Sequence, residues 1–492
     1  MAMDERAVRG VPWTLLSYGV NRGVLVLTTV GLARILHPDD YGLVALATVA
    51  LTFLALVKDL GLGGTLIVRG DLDAEARGTV LTLMVATGFL LAVVATACAP
   101  LLAAVFDEPR LTGVLAALSS MLLIGGFSGF YEALMQREME FRGRFFALLA
   151  QALAIAAVSF GLAIAGAGVW SLVVGQIAGL VVFSVALYQL APERVPPRFR
   201  RESARDAIRT GSGFPVQSGT VFVRQNADYL VVGHAFGSAT LGIYSMAYRL
   251  GDLPYQAVAD PVARVTFPTF ARVRERGGEI AEPFGKVVRL VALVTIPLGA
   301  GLSALAEPFT LAIFGDDWTQ MIGVLAVLGL WAAVRPTEAT LAWLANSLGR
   351  AGVAGLISTL ILVPLLPALV LAATFAGPEA IAWVVLGDTL LSLVLLLMLL
   401  QRHALVSIRT TAVAVWPAAV AGVPLWVAAR LVAESGLPPA GALLLGVAAG
   451  GLVYVAALAA LRRSILRDSV GQVARIFGRG SARRPSARAG GR

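Results

Sequence analysis

Apolar positions along this chain fall in blocks of helical length, separated by short breaks of charge, glycine and proline. A helix needs about 20 residues to cross a bilayer. On that scale the pattern predicts fourteen spans, near 11–34, 41–66, 79–105, 111–135, 145–166, 168–190, 213–236, 240–267, 284–306, 318–347, 351–375, 378–401, 410–432 and 438–461. The breaks on one side are short: HPDD, FDEPR, AGAG, FGSAT, EPFTLAIFGDDW, AGPE and ESGLPP. They leave no extramembrane domain there to host chemistry.

Composition narrows the class. Of 492 residues, 58% are hydrophobic and 14% charged, against about 45–50% and 25% in a soluble domain. A mean hydropathy of +0.81 along the whole length excludes an ordinary soluble enzyme and implies an all-α polytopic membrane protein. Cationic residues collect in cytoplasmic segments of membrane proteins. With the N-terminus placed inside, 31 of the 39 Lys and Arg fall in inside segments, and only Arg34, Arg110 and Arg430 in outside ones. A missed helix would invert the pattern beyond it, so the distribution predicts that both termini face the cytoplasm. The start, MAMDERAVRGVPW, has no cleavable leader pattern, and the first span is expected to be retained. Cys98 is the lone thiol, and His37, His234 and His403 have no ligand spacing, so no disulfide or metal site is expected. The Arg-rich segments 191–212 and 268–283 suit anionic phospholipid headgroups. The tail spaces Leu466, Val470, Val473 and Phe477 on one face before a low-complexity basic end, which reads as an interfacial helix and a disordered tip, or simply as a solvated basic tail.

A shift of 200 residues sets LARILHPDDYGLVALA (32–47) on VGHAFGSATLGIYSMA (232–247), Gly42 on Gly242 and Ala47 on Ala247. This implies two pseudo-symmetric six-helix lobes, an N-terminal lobe to 190 and a second from 213 to 401. Between them lies the cytoplasmic basic linker 191–212; two further helices (402–463) and the basic tail from 464 follow. An even helix spacing makes the repeat parallel, about an axis along the membrane normal, with a cavity expected between lobes.

Charges inside spans are costly, so they face protein or water and mark candidate sites. The cations are Arg22, Lys58, Arg224, Arg249 and Arg335; the acids are Asp59, Asp228, Asp252, Asp260, Glu338 and Asp388. Arg224 with Asp228, Arg249 with Asp252 and Arg335 with Glu338 stand at intrahelical pairing distance, a purely structural alternative to function. Arg22 has no acid within four residues and needs a partner from elsewhere, water or an anionic ligand. Arg224 lies two residues from its repeat-equivalent position, which places a cation at similar depth in both lobes. Lys58, Asp59 and Asp260 sit near helix ends, where charges reach the interface. Asp388, isolated in VVLGDTLL, is a candidate for a coupling proton or sodium ion, as is Asp228. Pro254 and Pro261 make the eighth span the choice for a bent, moving element, or for a static kink.

The stretch RQNADYLVVGHAFGSATLGIYSMAYRLGDLPYQAVADPVARVTFPTF (224–270) and the hairpin 32–69 resemble the polysaccharide flippase family of the MOP superfamily, the Wzx-like exporters of lipid-linked oligosaccharides. The resemblance covers most of the chain and fades over the last helices and tail. It implies a MATE-like fold of about 14 helices in a bacterial inner membrane. It also implies translocation of an undecaprenyl-pyrophosphate-linked oligosaccharide to the outer leaflet, with polymerase and export components as partners, and no cofactor, enzymatic activity or nucleic acid. On matching positions it suggests Arg224, Asn226, Asp228, Tyr244, Tyr248 and Arg249 as cavity residues. With Arg22 and Arg335 these supply guanidinium groups suited to bidentate phosphate contacts. The rival expectations are a MATE-type multidrug exporter, whose cavity should be acidic or aromatic, an uncoupled scramblase, and a membrane-embedded polymerase or glycosyltransferase.

Overall fold

The computed structural model describes residues 19–59, 66, 73–138, 140–211, 215–275, 277–403 and 405–461. The first part of the first span, the end of the second and the tail lie outside the described residues, as do the side chains of Lys58 and Asp59. Among the described residues every regular element is helical. The helices are α1 (Gly19–Ala33), α2 (Pro38–Asp59), α3 (Ala74–Val105), α4 (Arg110–Arg137), α5 (Phe141–Ile164), α6 (Val169–Leu190) and the short α7 (Arg201–Gly211). Pro215–Pro254 folds back at Gly237 (φ 81°) into two arms, α8 (215–236) and α9 (238–254). Then come a π turn (Tyr255–Ala259), α10 (Asp260–Glu275), α11 (Ala281–Ala304), α12 (Ala306–Ile313), α13 (Met321–Ser347), α14 (Ala351–Phe375), α15 (Pro378–Arg402), α16 (Ile408–Ala433) and α17 (Pro439–Leu461). Among the described residues twelve segments are long and apolar enough to cross a membrane. The two arms about Gly237 are joined in one of them, and α1 is the shorter apolar helix beside these, which gives about fourteen crossings.

The local chemistry explains the ends. Asp73 caps α3 by accepting from the Ala76 N–H at 2.6 Å, and Ser407 caps α16 through the Thr410 N–H at 3.0 Å; each satisfies one open amide of a first turn. Gly237 reverses the chain in a left-handed conformation that a side chain rarely adopts.

One segment differs from the sequence reading, and two others gain detail from the structure. The outside loop EPFTLAIFGDDW is folded: it forms α12 and a 3-10 turn (Asp316–Trp318), with Trp318 fully buried. The eighth span runs as helix through a π turn directly after Pro254, whose ring cannot donate to the ladder, at one of the two prolines where the sequence placed a bend. The linker 191–212 is not free of the core. Its extended part runs along the start of α3, with the Arg198 N–H on the Gly78 carbonyl (3.3 Å) and the Arg200 N–H on Thr79 Oγ1 (3.0 Å).

The two halves meet chiefly through α2 and α9. A Cβ on Gly42 would lie 1.7 Å from the Ser238 carbonyl oxygen, and one on Gly242 would lie 1.8 Å from the Pro38 carbonyl oxygen. Because Pro38 and Ser238 are also 200 residues apart, this contact is reciprocal: the repeat read from the sequence becomes a local two-fold, with backbone touching backbone where side chains are missing. Around it runs a polar seal. Trp318 Nε1 donates to the Ala33 carbonyl (3.0 Å), Arg34 donates to the carbonyls of Ala312 and Ile313, Ser238 bridges Asp39 and Glu108, and Arg110 reaches Asp39 and Asp40. The lobes are therefore closed at the end of the 34–40, 105–110 and 237–238 turns, the end that the charge distribution assigns to the outside. The helices α16 and α17 pack on α11, where Trp426 Nε1 meets Ser303 Oγ (3.2 Å) and the Tyr454 hydroxyl donates to the Leu293 carbonyl (2.9 Å).

Candidate functional site

The predicted polar residues separate into two cavities. The first, about 310 Å³, lies between the lobes, walled by α1, α2, α5, α6, α9 and the π turn. Arg22 and Arg249 line it, both exposed, together with Thr48, Ser159, Gln176 and Gln256. No acid is among the described residues that line it. The expected Arg249–Asp252 pair does not form, since Asp252 instead accepts from Gln256 Nε2 at 2.6 Å. Among the described residues neither Arg22 nor Arg249 has a carboxylate in ion-pair contact. Two guanidinium groups with no described carboxylate in ion-pair contact, beside neutral hydrogen-bonding side chains, make a site that can receive an anion.

The second cavity, about 290 Å³, lies within the second half, among α8, α9, α13, α14 and α15. Arg224 and Arg335 face this cavity rather than the central one. The intrahelical pair expected for Arg224 and Asp228 is replaced by a longer-range one. Arg224 grips both oxygens of Asp388 (2.8–3.2 Å) and stands 3.7 Å from Glu338. Arg335 pairs with Glu338 at 2.6 Å, one turn along α13 as expected, and its guanidinium lies 5.0 Å from the Tyr255 ring centroid. Glu338, 4% exposed, also accepts from Ser392 at 2.6 Å, so it joins α8, α13 and α15. The sequence showed this acid only as a partner for Arg335. Its bridging role depends on helices more than 50 residues apart, which spacing along one helix does not reveal.

Asp228 is 3% exposed; one oxygen accepts from the Tyr244 hydroxyl at 2.8 Å, and the other, Oδ1, is buried with no partner. Tyr244 is wholly buried and orients that acid. Tyr248 packs on Trp331 with centroids 4.7 Å apart, in the wall of the same cavity. Asn226 donates to the Phe222 carbonyl of its own helix (2.9 Å) and lies in the wall of neither cavity. The site residues named from sequence thus divide as Arg22 and Arg249 between lobes, and Arg224, Asp228, Tyr248, Arg335 and Asp388 inside the second half. Thr48, Ser159, Gln176 and Gln256 were missed because an uncharged polar residue in a span carries little signal of its own.

Known proteins are similar to this chain in sequence or in architecture. The family described as "Polysaccharide biosynthesis protein" matches residues 31–323. The succinoglycan biosynthesis transport protein ExoT of Rhizobium meliloti is 28% identical over 331 residues, covering 66% of each chain. The lipopolysaccharide biosynthesis protein WzxC of Escherichia coli is 23% identical over 383 residues, 77% of each. Among solved structures, the lipid II flippase MurJ in an inward closed conformation superposes with a TM-score of 0.72 at 12% identity, over 93% of this chain and 100% of that one. An inward-facing multidrug resistance MATE family transporter of the MOP superfamily gives 0.60 at 15% identity, over 79% and 94%. These structural likenesses establish the fold.

Proposed function

From the premise that the chain belongs to the polysaccharide biosynthesis protein family, we propose that it is a flippase for a polyprenyl-pyrophosphate-linked oligosaccharide. Support comes from a transport protein and a Wzx protein of polysaccharide pathways among its relatives, and from the lipid-flippase fold. One observation carries the substrate class. The central cavity holds Arg22 and Arg249 and no described acid, which suits a diphosphate and opposes the cationic drugs that a multidrug exporter would take.

In this reading Arg22 and Arg249 replace water around the diphosphate, whose charge could not otherwise enter hydrocarbon. Gln176, Gln256, Thr48 and Ser159 offer hydrogen bonds to sugar hydroxyls, while the polyprenyl tail stays in lipid. The lobes, sealed at the outer end by the α2–α9 contact and the polar groups around it, part there to present the cavity to the other leaflet. The π turn that carries Gln256 is the bending element. Arg224, Arg335, Glu338 and Asp388 brace the second half. Of the two acids suggested for ion coupling, Asp228 is the one with a free buried oxygen, since both oxygens of Asp388 are taken by Arg224. The chain sits in a bacterial inner membrane with both termini cytoplasmic, and the polymerase and export machinery of the same polysaccharide are its expected partners.

The test is transport in proteoliposomes, with a fluorescent polyprenyl-pyrophosphate oligosaccharide and a cationic dye offered together. Flipping of the lipid with no dye movement supports the proposal. Dye export without lipid movement would assign the chain to the multidrug class, and an imposed proton or sodium gradient that leaves lipid flipping unchanged would remove the coupling role of Asp228.

A further inference from the structure

On the face that the charge distribution assigns to the cytoplasm, and away from both cavities above, the starts of α11 and α16 enclose a third space of about 530 Å³. Its walls carry Lys286, Arg289 and Arg409 against the single acid Glu282. Lys286 holds that acid at 2.6 Å. Arg289 and Arg409 have no acid partner among the described residues, and Arg289 Nε is buried without a hydrogen bond. The open first turn of α16 meets the same space. Ser407 satisfies only the Thr410 amide, which leaves the amides of Ile408 and Arg409 at the positive end of the helix. Gly285 permits this approach, because a Cβ there would meet Thr410 Cγ2 at 3.2 Å.

The surroundings decide what kind of anion fits. From Arg409 an apolar stripe climbs α16 at helical spacing through Val413, Trp416, Val420 and Val427. These four are 44%, 39%, 48% and 45% exposed and face the lipid. Side chains on a helix lean toward its N-terminus, so Lys286, Arg289 and Arg409 all direct their charge toward the headgroup level. A charged floor under a continuous apolar stripe matches an amphiphile and offers a soluble anion nothing along its upper part.

We propose that this space is a binding site for one anionic phospholipid of the cytoplasmic leaflet. Its phosphate sits among Arg289, Arg409, Lys286 and the first turn of α16, and an acyl chain lies along Val413, Trp416 and Val420. The lipid fastens the α16–α17 pair to α11. The site is independent of the transport cavity, so its occupancy can be read without any assay of flipping.

The experiment uses the full chain in detergent with phosphatidylglycerol and phosphatidylcholine as competing probes, and native mass spectrometry as readout. The wild type is expected to retain phosphatidylglycerol preferentially. Arg289→Gln with Arg409→Gln should reduce that preference about thirtyfold, from the loss of two cations at the membrane surface. Arg402→Gln, an exposed cation outside this space, should leave it intact. Val413→Asn with Trp416→Asn should weaken retention while the cations remain. Equal retention by wild type and the double arginine variant overturns the proposal. So does displacement of the lipid by millimolar inorganic phosphate, which would mark a site for a free anion.

Discussion

The reciprocal glycine contact gives a quantitative handle on the conformational cycle. In Gly42→Ala the new methyl group would stand 1.7 Å from the Ser238 carbonyl oxygen, where ordinary contact begins at 3.4 Å. The obstacle is backbone, so it cannot rotate away, and α2 and α9 must separate by about 1.7 Å, half of that ordinary contact distance. Overpacking of this kind costs about 1–3 kcal/mol. That energy falls on the sealed state alone, since the contact is lost once the lobes part, so it shifts the ratio of sealed to opened molecules by roughly 5–150-fold. His37 and Asp317 report on the seal, their side chains approaching to 3.9 Å while remaining largely exposed. With Cys98→Ser as background, His37→Cys and Asp317→Cys should cross-link rapidly, and adding Gly42→Ala should lower the yield at least fivefold. Gly242→Ala should do the same, because the contact is two-fold. An unchanged cross-linking yield in both, with the protein still folded, would refute the claim that backbone proximity at these glycines holds the lobes closed.

Other consequences concern the interior and the linker. Arg224→Met leaves Asp388 buried without its partner and should cost about 3–5 kcal/mol, whereas adding Asp388→Leu should restore most of it; thermal unfolding in detergent compares the two. Tyr244→Phe removes the hydrogen bond from the Tyr244 hydroxyl to Asp228 and should destabilise the protein by about 1–3 kcal/mol by the same measurement. Asp73, at the start of α3, is held below the ordinary carboxylate value of 3.8 by the Ala76 amide and then by Arg200. A depressed value means that its hold on the linker is complete above 3.8 and is lost as the pH falls through the lower folded value. A spin label placed by Pro197→Cys in the Cys98→Ser background should therefore keep its mobility from pH 7 to about pH 4.5 and loosen only below 3.8.

Hydrophobic run lengths and the distribution of arginine made the helices legible, because the bilayer fixes both a span length and a sign of charge at each face. The repeat was legible at Gly42 and Gly242 for a similar reason: close helix approach tolerates no side chain, and two-fold packing demands it twice. Charge partnerships were read less well. Spacing along one helix suggested Arg224 with Asp228 and Arg249 with Asp252, but at α8 the tertiary fold offers Arg224 a bidentate acid on α15, and at the π turn Gln256 takes Asp252. Which face of α8 turns inward depends on how α13, α14 and α15 pack, and local sequence does not contain that. The helix within EPFTLAIFGDDW was hidden by its brevity and by the two aspartates of the turn that follows it, although Trp318 is among the most deeply buried large residues.

The central claim is that Arg22 and Arg249 hold the diphosphate of a lipid-linked sugar. Its most direct measurement is equilibrium binding of a polyprenyl-pyrophosphate oligosaccharide to the purified protein, wild type against Arg22→Gln with Arg249→Gln. A hydrogen bond to a charged group contributes about 1.5–3 kcal/mol, so losing two should weaken binding by roughly a hundredfold or more, with a neutral polyprenyl glycoside bound weakly and equally by both. Equal affinity for the diphosphate in wild type and variant would contradict the account.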